Sequence, residues 1–272
     1  MGRLRRLDAE LVRRGLARSR QHATELVAAG RVSVSGRPAA KAATQVATAD
    51  PVVVADADAG PDYVSRGGHK LAGALDAFTD VVVEGRRCLD AGASTGGFTD
   101  VLLRRGAAHV VAVDVGYGQL AWSIRQDDRV TVLDRTNVRE LRPEQVAPAP
   151  ELVVADLSFI SLRLVLPALK ACAAPGADLL LMVKPQFEVG RERLGSGGVV
   201  REPANRAEAV VAVGAAAAEL GLTPVGVVAS PLPGPSGNVE YFVRLLDGAP
   251  PAEKPLTAMV DDAVRAGPQG GR

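Results

Sequence analysis

Aromatic residues are scarce: one Trp, three Tyr and five Phe make up 3% of 272 residues, so base-stacking surfaces are few. Only two cysteines occur, Cys88 and Cys172, in apolar strand and helix contexts. They read as buried thiols rather than a disulfide, and two thiols alone cannot hold a metal. The three histidines, His22, His69 and His109, show no zinc spacing, so no metal is expected. No run approaches 18 uninterrupted apolar residues, which argues against a membrane span. The opening MGRLRRLDAELVRRG has arginines but no apolar stretch behind them, which argues against a secretory signal. The expected compartment is the cytoplasm, with no membrane partner.

What is present is an ordinary globular profile, 47% apolar and 23% charged, long enough for one large domain or two smaller ones. A net charge of +1 conceals an asymmetry. Residues 1–41 hold ten Lys or Arg against Asp8, Glu10 and Glu25, whereas the remainder carries 22 basic and 28 acidic residues. A basic head on an acidic body points to an anionic partner for the head.

The first sixty residues parse as one unit. Leu4, Leu7, Leu11, Val12 and Leu16 mark a helix face ending near Gly15, and Ser19 can cap a second helix that Gly30 stops. RVSVSGRP and PVVV at 51–54 read as strands. The stretch RLDAELVRRGLARSRQHATELVAAGRVSVSGR, followed by Lys41 and Val52 to Val54, resembles the S4 RNA-binding domain. In that setting Arg6, Arg13, Arg18, Arg20 and Lys41 could reach phosphates in a salt-sensitive, shape-reading attachment. The expected organisation is an S4 domain over 1–58, a linker over 59–64 that begins within ADADAGPD (55–62), a second domain over 65–248, and a partly disordered tail over 249–272. A short helix is expected in the tail at TAMVDDAVRA.

From residue 84 apolar strands alternate with helices. Strands are expected at 87–93, 109–115, 129–135, 151–157, 178–184, 224–230 and 239–246, with helices such as FTDVLLRRG and NRAEAVVAVGAAAAELG between them. That alternation predicts an α/β fold with a parallel, doubly wound sheet, its last two strands forming an antiparallel hairpin.

DAGASTGGF (90–98) follows a strand and opens a helix, and its glycines let backbone approach a ligand closely. It is not G-x-G-x-x-G, so a dinucleotide pyrophosphate is not the natural guest. Asp90, Asp114, Asp134, Asp156 and Lys184 each fall at the C-terminal end of an apolar strand, the edge where open α/β sheets bind ligands. The glycine stretch resembles motif I of the S-adenosylmethionine-dependent methyltransferases, implying a Rossmann-like class I methyltransferase sheet behind a small α+β S4 domain. By that resemblance Asp90, Gly92, Ser94, Gly96 and Gly97 form the cofactor turn. Asp114 accepts from ribose hydroxyls, Asp134 and Asn137 meet the adenine end, and Phe98, Asp156 and Leu157 complete the contacts.

LLLMVKPQFEVG (179–190) places Lys184 directly after a continuously apolar strand, where it either snorkels to solvent or is held at a chemical site. YVSRGGHKLAGAL supplies Lys70, ADLSFISL Asp156 and SGNVEYFV Glu240. In this order the four resemble the K-D-K-E tetrad of the FtsJ-type ribose 2′-O-methyltransferases. The phrases VSRGGHKL, LDAGASTGGFT, DVGYGQLAW, ADLSFISL, VKPQFE and SPLPGPSGNVEYF resemble the TlyA family over residues 3–246. That family is named for haemolysin but includes enzymes that methylate cytidine ribose in 16S and 23S rRNA, or in 23S alone. The modification is linked to sensitivity to capreomycin.

The resemblance therefore implies S-adenosyl-L-methionine as cofactor and rRNA, within 30S and/or 50S subunits, as partner; the sequence does not give the oligomeric state, with a monomer favoured. Chemically, a ribose 2′-hydroxyl is a poor nucleophile, and a lysine takes its proton only when its neutral form is accessible. Lys184 is the expected base or hydroxyl orienter, with Asp156 and Glu240 fixing the ammonium groups. Ser65, Arg66, Arg191, Arg193 and Arg201 are expected to meet RNA, the last three from the loop region around GSGGVVREP (195–203). Trp122 is expected to pack in the core, with lining of the cofactor pocket or stacking on a base as the alternatives, His22 and His109 to be structural, and His69 to make a local hydrogen bond or meet RNA. Three other readings compete. A haemolysin lacks a membrane-active segment, an RNA-binding assembly factor leaves the tetrad idle, and a pseudouridine synthase has no use for the glycine turn.

Overall fold

The computed structural model describes residues 4–17, 19–28, 31–54, 63–234 and 236–267. Two compact units divide it, residues 1–62 and 63–272. Most of the expected linker, 59–62, lies outside the described residues.

The first unit runs β1 (Leu4–Arg6), α1 (Leu7–Arg13), α2 (Arg20–Ala28), β2 (Val32–Val34), β3 (Arg37–Pro38), β4 (Gln45–Ala47) and β5 (Val52–Val54). Ser19 Oγ accepts from His22 N at 3.1 Å, satisfying a donor that the first turn of α2 would leave open. Strands order as β3-β2-β5, and β1 pairs with β4 in a ladder that local pattern did not announce. Leu7, Leu11, Ala23, Leu26, Val27, Val32 and Val46 close a small core.

The second unit opens with α3 (Arg66–Ala77), β6 (Arg87–Ala91), α4 (Gly97–Arg104), β7 (His109–Val113) and α5 (Trp122–Arg125). It continues through β8 (Val130–Leu133), α6 (Pro143–Val146), β9 (Leu152–Ala155), α7 (Leu166–Cys172), β10 (Asp178–Val183) and α8 (Pro185–Glu188). It closes with α9 (Pro203–Glu219), β11 (Leu222–Ala229), β12 (Tyr241–Asp247) and α10 (Leu256–Ala266). The seven-stranded sheet has the order β11-β12-β10-β9-β6-β7-β8. The five strands from β10 to β8 are parallel, and β12 is antiparallel to both of its neighbours.

Two-residue alternation sorts each strand onto two faces. Cys88, Val110, Leu152, Val154, Leu180, Met182 and Phe242 face α3 and α4. Leu89, Val111, Val153, Leu179, Leu181 and Val183 face α7, α9 and α10. Both faces are covered, so β9 is apolar throughout and β10 is apolar after Asp178, and each fully buried Leu or Val contributes about 1.5–3 kcal/mol. Cys88 and Cys172 are buried and unpaired. The helix expected in the tail forms as α10, which buries Met259, Val260 and Ala263 in the core.

Candidate active site

The direction of β12 assembles the charged residues. Asp156 and Lys184 follow the parallel neighbours β9 and β10, so both emerge at their C-terminal edge. Because β12 runs the other way, with Val183 opposite Tyr241, its start lies at that same edge. Glu240 therefore joins residues that end their strands although it precedes its own. Lys70 comes from α3.

The four form two ion pairs. Lys184 Nζ lies 2.6 Å from Asp156 Oδ1 and also donates to Ser158 Oγ at 2.8 Å. Lys70 Nζ lies 2.5 Å from Glu240 Oε2. The Lys70 and Glu240 side chains are 8% and 1% exposed, and Lys184 is 10% exposed. Neither lysine snorkels.

Gly92 has φ +87°, and a Cβ there would stand 2.6 Å from Asp156 O. Only glycine lets the turn after β6 lie so close to the Asp156 segment. Gly97 permits a second approach: a Cβ would come within 2.2 Å of Ser65 Oγ and 2.8 Å of Gly68 N. The start of α4 thus packs against the start of α3, the helix that carries Lys70.

Two adjoining cavities occupy this edge, sharing Gly92, Ser94, Asp156 and Ser158. The larger, about 460 Å³, is lined by Asp114, Gln119, Thr136 and Asn137 and by apolar Val138, Leu157, Ile160 and Val165. The smaller, about 170 Å³, is lined by Ser65, Gly67, Thr95, Gly97, Phe98 and Lys184. Asp114 accepts from Ser94 N at 2.8 Å and Gly116 N at 2.7 Å, which fixes its carboxylate on the cavity wall.

The other expected cofactor residues stand apart from these linings. Asp90 is wholly buried and accepts from Thr99 Oγ1 at 2.6 Å, and burial pushes its carboxyl up to about 7. Asp134 pairs with Arg125 at 3.0 Å, and Gly96 begins α4 in the left-handed region.

Several expected RNA contacts already hold carboxylates. Arg6 and Arg20 each reach Asp8 at 2.9 Å, while Arg13 and Arg14 reach Glu10 at 2.6 and 2.8 Å. Those guanidiniums draw both buried acids down to about 2, Asp8 through Arg6 first and Glu10 through Arg13 first. Arg193 pairs with Glu208 at 2.5 Å, and Arg201 donates to Ser196 Oγ at 3.4 Å. Arg66 is exposed and donates to Pro233 O at 3.4 Å, and Lys41 is exposed. Arg18 and the Arg191 side chain lie outside the described residues.

Trp122 corrects the expectation of core packing: it is 74% exposed, because the short α5 buries Ile124 instead. His69 packs edge-on against Tyr63, ring centroids 5.1 Å apart, and His109 Nε2 bonds Thr131 Oγ1 at 2.9 Å.

Three residues were not singled out in the sequence. Ser158 bonds Lys184 and lines both cavities. Glu188 accepts from Ser161 Oγ at 2.6 Å and Leu162 N at 2.7 Å, tying α8 to the segment after β9. Asn238 accepts from Val200 N at 2.9 Å and donates to Gly198 O at 3.0 Å, anchoring the loop around GSGGVVREP. No spacing signal marks them, since each acts across loops far apart in sequence. Among the described residues no cluster of His, Cys, Asp and Glu could hold a metal ion, and no helix is long and apolar enough to cross a membrane.

The FtsJ-like methyltransferase family model matches residues 63–246, and the S4 domain model matches residues 5–52. The 16S/23S rRNA (cytidine-2′-O)-methyltransferase TlyA of Mycobacterium tuberculosis is 60% identical over 271 residues, covering 98% of this chain and 100% of that protein. The 23S rRNA (cytidine-2′-O)-methyltransferase TlyA of Campylobacter jejuni is 35% identical over 181 residues, covering 66% of this chain and 69% of that protein. A solved structure of a provisionally named hemolysin from Streptococcus thermophilus superimposes with TM-score 0.75 at 37% identity, covering 96% of both chains.

Proposed function

The chain belongs to the TlyA family of FtsJ-like methyltransferases with an S4 domain, and on that premise we propose that it methylates the 2′-hydroxyl of a cytidine ribose in 16S and 23S rRNA. S-adenosyl-L-methionine, when bound, supplies a methyl group on a positively charged sulfur, which an oxygen nucleophile displaces in line. The observation that carries the reading is the double ion pair Lys184–Asp156 and Lys70–Glu240 beside a cleft of cofactor size.

The lining fits that cofactor. The Gly92 turn offers backbone where a side chain would fill the space, and the Asp114 carboxylate suits ribose hydroxyls. Val138, Leu157, Ile160 and Val165 give an apolar slot for a purine. Asn137 stands on the same wall, whereas Asp134 and Asp90 line neither cavity. The smaller cavity, with Lys184 at its edge, receives the target ribose.

Lys184 pairs with Asp156 at 2.6 Å and gives one N–H to Ser158 Oγ, which leaves donor capacity for the 2′-oxygen. As an ammonium, Lys184 orients the oxygen lone pair toward the methyl carbon. In its amine form it takes the hydroxyl proton as the oxygen–carbon bond forms. Both roles require Nζ at one point, so positioning dominates the rate. Lys70 and Glu240 form the second, buried pair at the same sheet edge and line neither cavity.

The S4 unit anchors the chain on folded RNA through Lys41 and the outward edges of Arg6, Arg13 and Arg20, with Arg18 on the same segment. Ser65, Arg66, Arg191, Arg193 and Arg201 meet RNA near the target. Identity of 60% along the length of a 16S/23S enzyme favours both substrates over 23S alone, and an rRNA substrate puts the work in the cytoplasm.

The test is transfer of labelled methyl from S-adenosyl-L-methionine to 30S and 50S subunits lacking the modification, with Lys184→Ala in parallel. Label on both subunits, mapped to a cytidine 2′-oxygen and lost in the variant, is expected. Cofactor binding without label on either subunit would instead mean an RNA-binding assembly factor.

A further inference from the structure

Ser158 is held where Lys184 needs an acceptor, and the chain accepts strain around it. The residue after it, Phe159, has φ +64°, a left-handed conformation that a bulky L-residue rarely adopts. Glu188 in α8, the helix directly after Lys184, ties that segment down by accepting from Ser161 Oγ and Leu162 N. Phe159 itself is 91% exposed, its ring centroid 5.2 Å from that of Phe187, whose backbone N–H donates to Lys184 O at 2.9 Å. The segments on both sides of the Lys184–Ser158 bond are therefore joined through α8.

The consequence falls on a long side chain. Lysine has four rotatable bonds, and one ion pair leaves its ammonium free to swing about the carboxylate. A second acceptor, in a different direction, removes that freedom. Ser158 Oγ supplies it at 2.8 Å, at the junction of the two cavities.

We propose that Ser158 is a positioning residue of the methyl transfer, fixing Lys184 Nζ between the cofactor cleft and the ribose cavity. The proposal rests on the role given above to Lys184. Its chemistry adds no step: the serine neither gains nor loses a proton, and its hydroxyl only accepts from the ammonium.

The experiment compares Ser158→Ala, Ser158→Thr, Lys184→Ala and the Ser158→Ala/Lys184→Ala double variant, each confirmed folded by circular dichroism. Single-turnover and steady-state methyl transfer to unmodified subunits are measured, with S-adenosyl-L-methionine affinity by calorimetry. Ser158→Ala is expected to lower kcat roughly 10- to 100-fold, with the KM for subunits and the cofactor affinity changed by less than about twofold. Ser158→Thr, which keeps the hydroxyl, restores most of the rate, and the double variant is no slower than Lys184→Ala.

An unchanged kcat in Ser158→Ala overturns the proposal. So does a loss that appears in cofactor affinity, that threonine fails to rescue, or that adds to the Lys184→Ala defect. Full activity in Lys184→Ala removes the underlying reading and this proposal with it. An inactive Lys184→Ala beside a fully active Ser158→Ala removes the proposal alone.

Discussion

Lys70 Nζ and Glu240 Oε2 meet at 2.5 Å although 170 positions separate them, and both side chains are buried. A buried pair gives back little net stability, but removing one partner strands the other's charge. Lys70→Ala is therefore expected to cost about 3–5 kcal/mol in urea unfolding followed by circular dichroism. The Lys70→Met/Glu240→Met double variant, similar in volume, should recover most of that stability and none of the methyl transfer. Recovery of activity in the double variant would reduce the pair to scaffolding.

Gly92→Ala tests the cofactor turn. Its Cβ would stand 2.6 Å from Asp156 O and 2.9 Å from Leu157 Cδ2, at a φ of +87°. Backbone must shift, at a cost of about 1–3 kcal/mol in stability. Calorimetry should show cofactor affinity weaker by about tenfold or more, equal to 1.4 kcal/mol. Unchanged affinity would place the cofactor elsewhere.

Asp90 gives a pH signature. Burial raises its carboxyl from 3.8 to about 7, so between those values the folded chain keeps a proton that the unfolded chain releases. Its contribution to stability is full below the lower value and is lost as pH rises through the higher one. Asp90→Asn keeps an acceptor for Thr99 and removes this slope. Relative to the parent, the Tm of Asp90→Asn should rise from about pH 5 to about pH 8. A difference independent of pH would show that Asp90 titrates normally.

In the S4 unit the sign reverses. Arginine contacts hold Asp8 and Glu10 down to about 2, from 3.8 and 4.5. Their stabilisation is present above the ordinary carboxylate range and lost as pH falls toward 2. Asp8→Asn should lower the Tm at neutral pH, and its deficit should shrink in acid as the parent loses the same interaction. Thermal melts at about pH 6 and about pH 3 measure it.

Asn238→Ala removes two buried hydrogen bonds and leaves Val200 N unpartnered, at a cost of about 1–3 kcal/mol. Hydrogen exchange at the Val200 amide should accelerate, and activity should fall because Glu240 stands two residues on. Unaltered exchange there would mean that the loop is held by other contacts.

The sequence by itself determined the seven strands of the larger sheet, the glycine turn and the charges that follow β9 and β10, whereas Lys70 and Glu240 are reached by resemblance to the K-D-K-E order. Those signals are local: continuous apolar runs mark strands covered on both faces, and a charge ending such a run marks the sheet edge. It also contained the Glu10 contacts to Arg13 and Arg14, since three- and four-residue spacing on a helix brings side chains together. Trp122 was misread because an apolar neighbourhood does not say which side of a four-residue helix turns inward. Tertiary structure alone decided how the lysines pair, because β12 is inserted antiparallel beside β10 and reverses the end at which Glu240 sits. It likewise decided that Ser158 faces Lys184, since a loop serine has no periodicity to reveal its partner. Local pattern fixes which residues reach the edge of a sheet, whereas strand order and loop packing fix which of them touch.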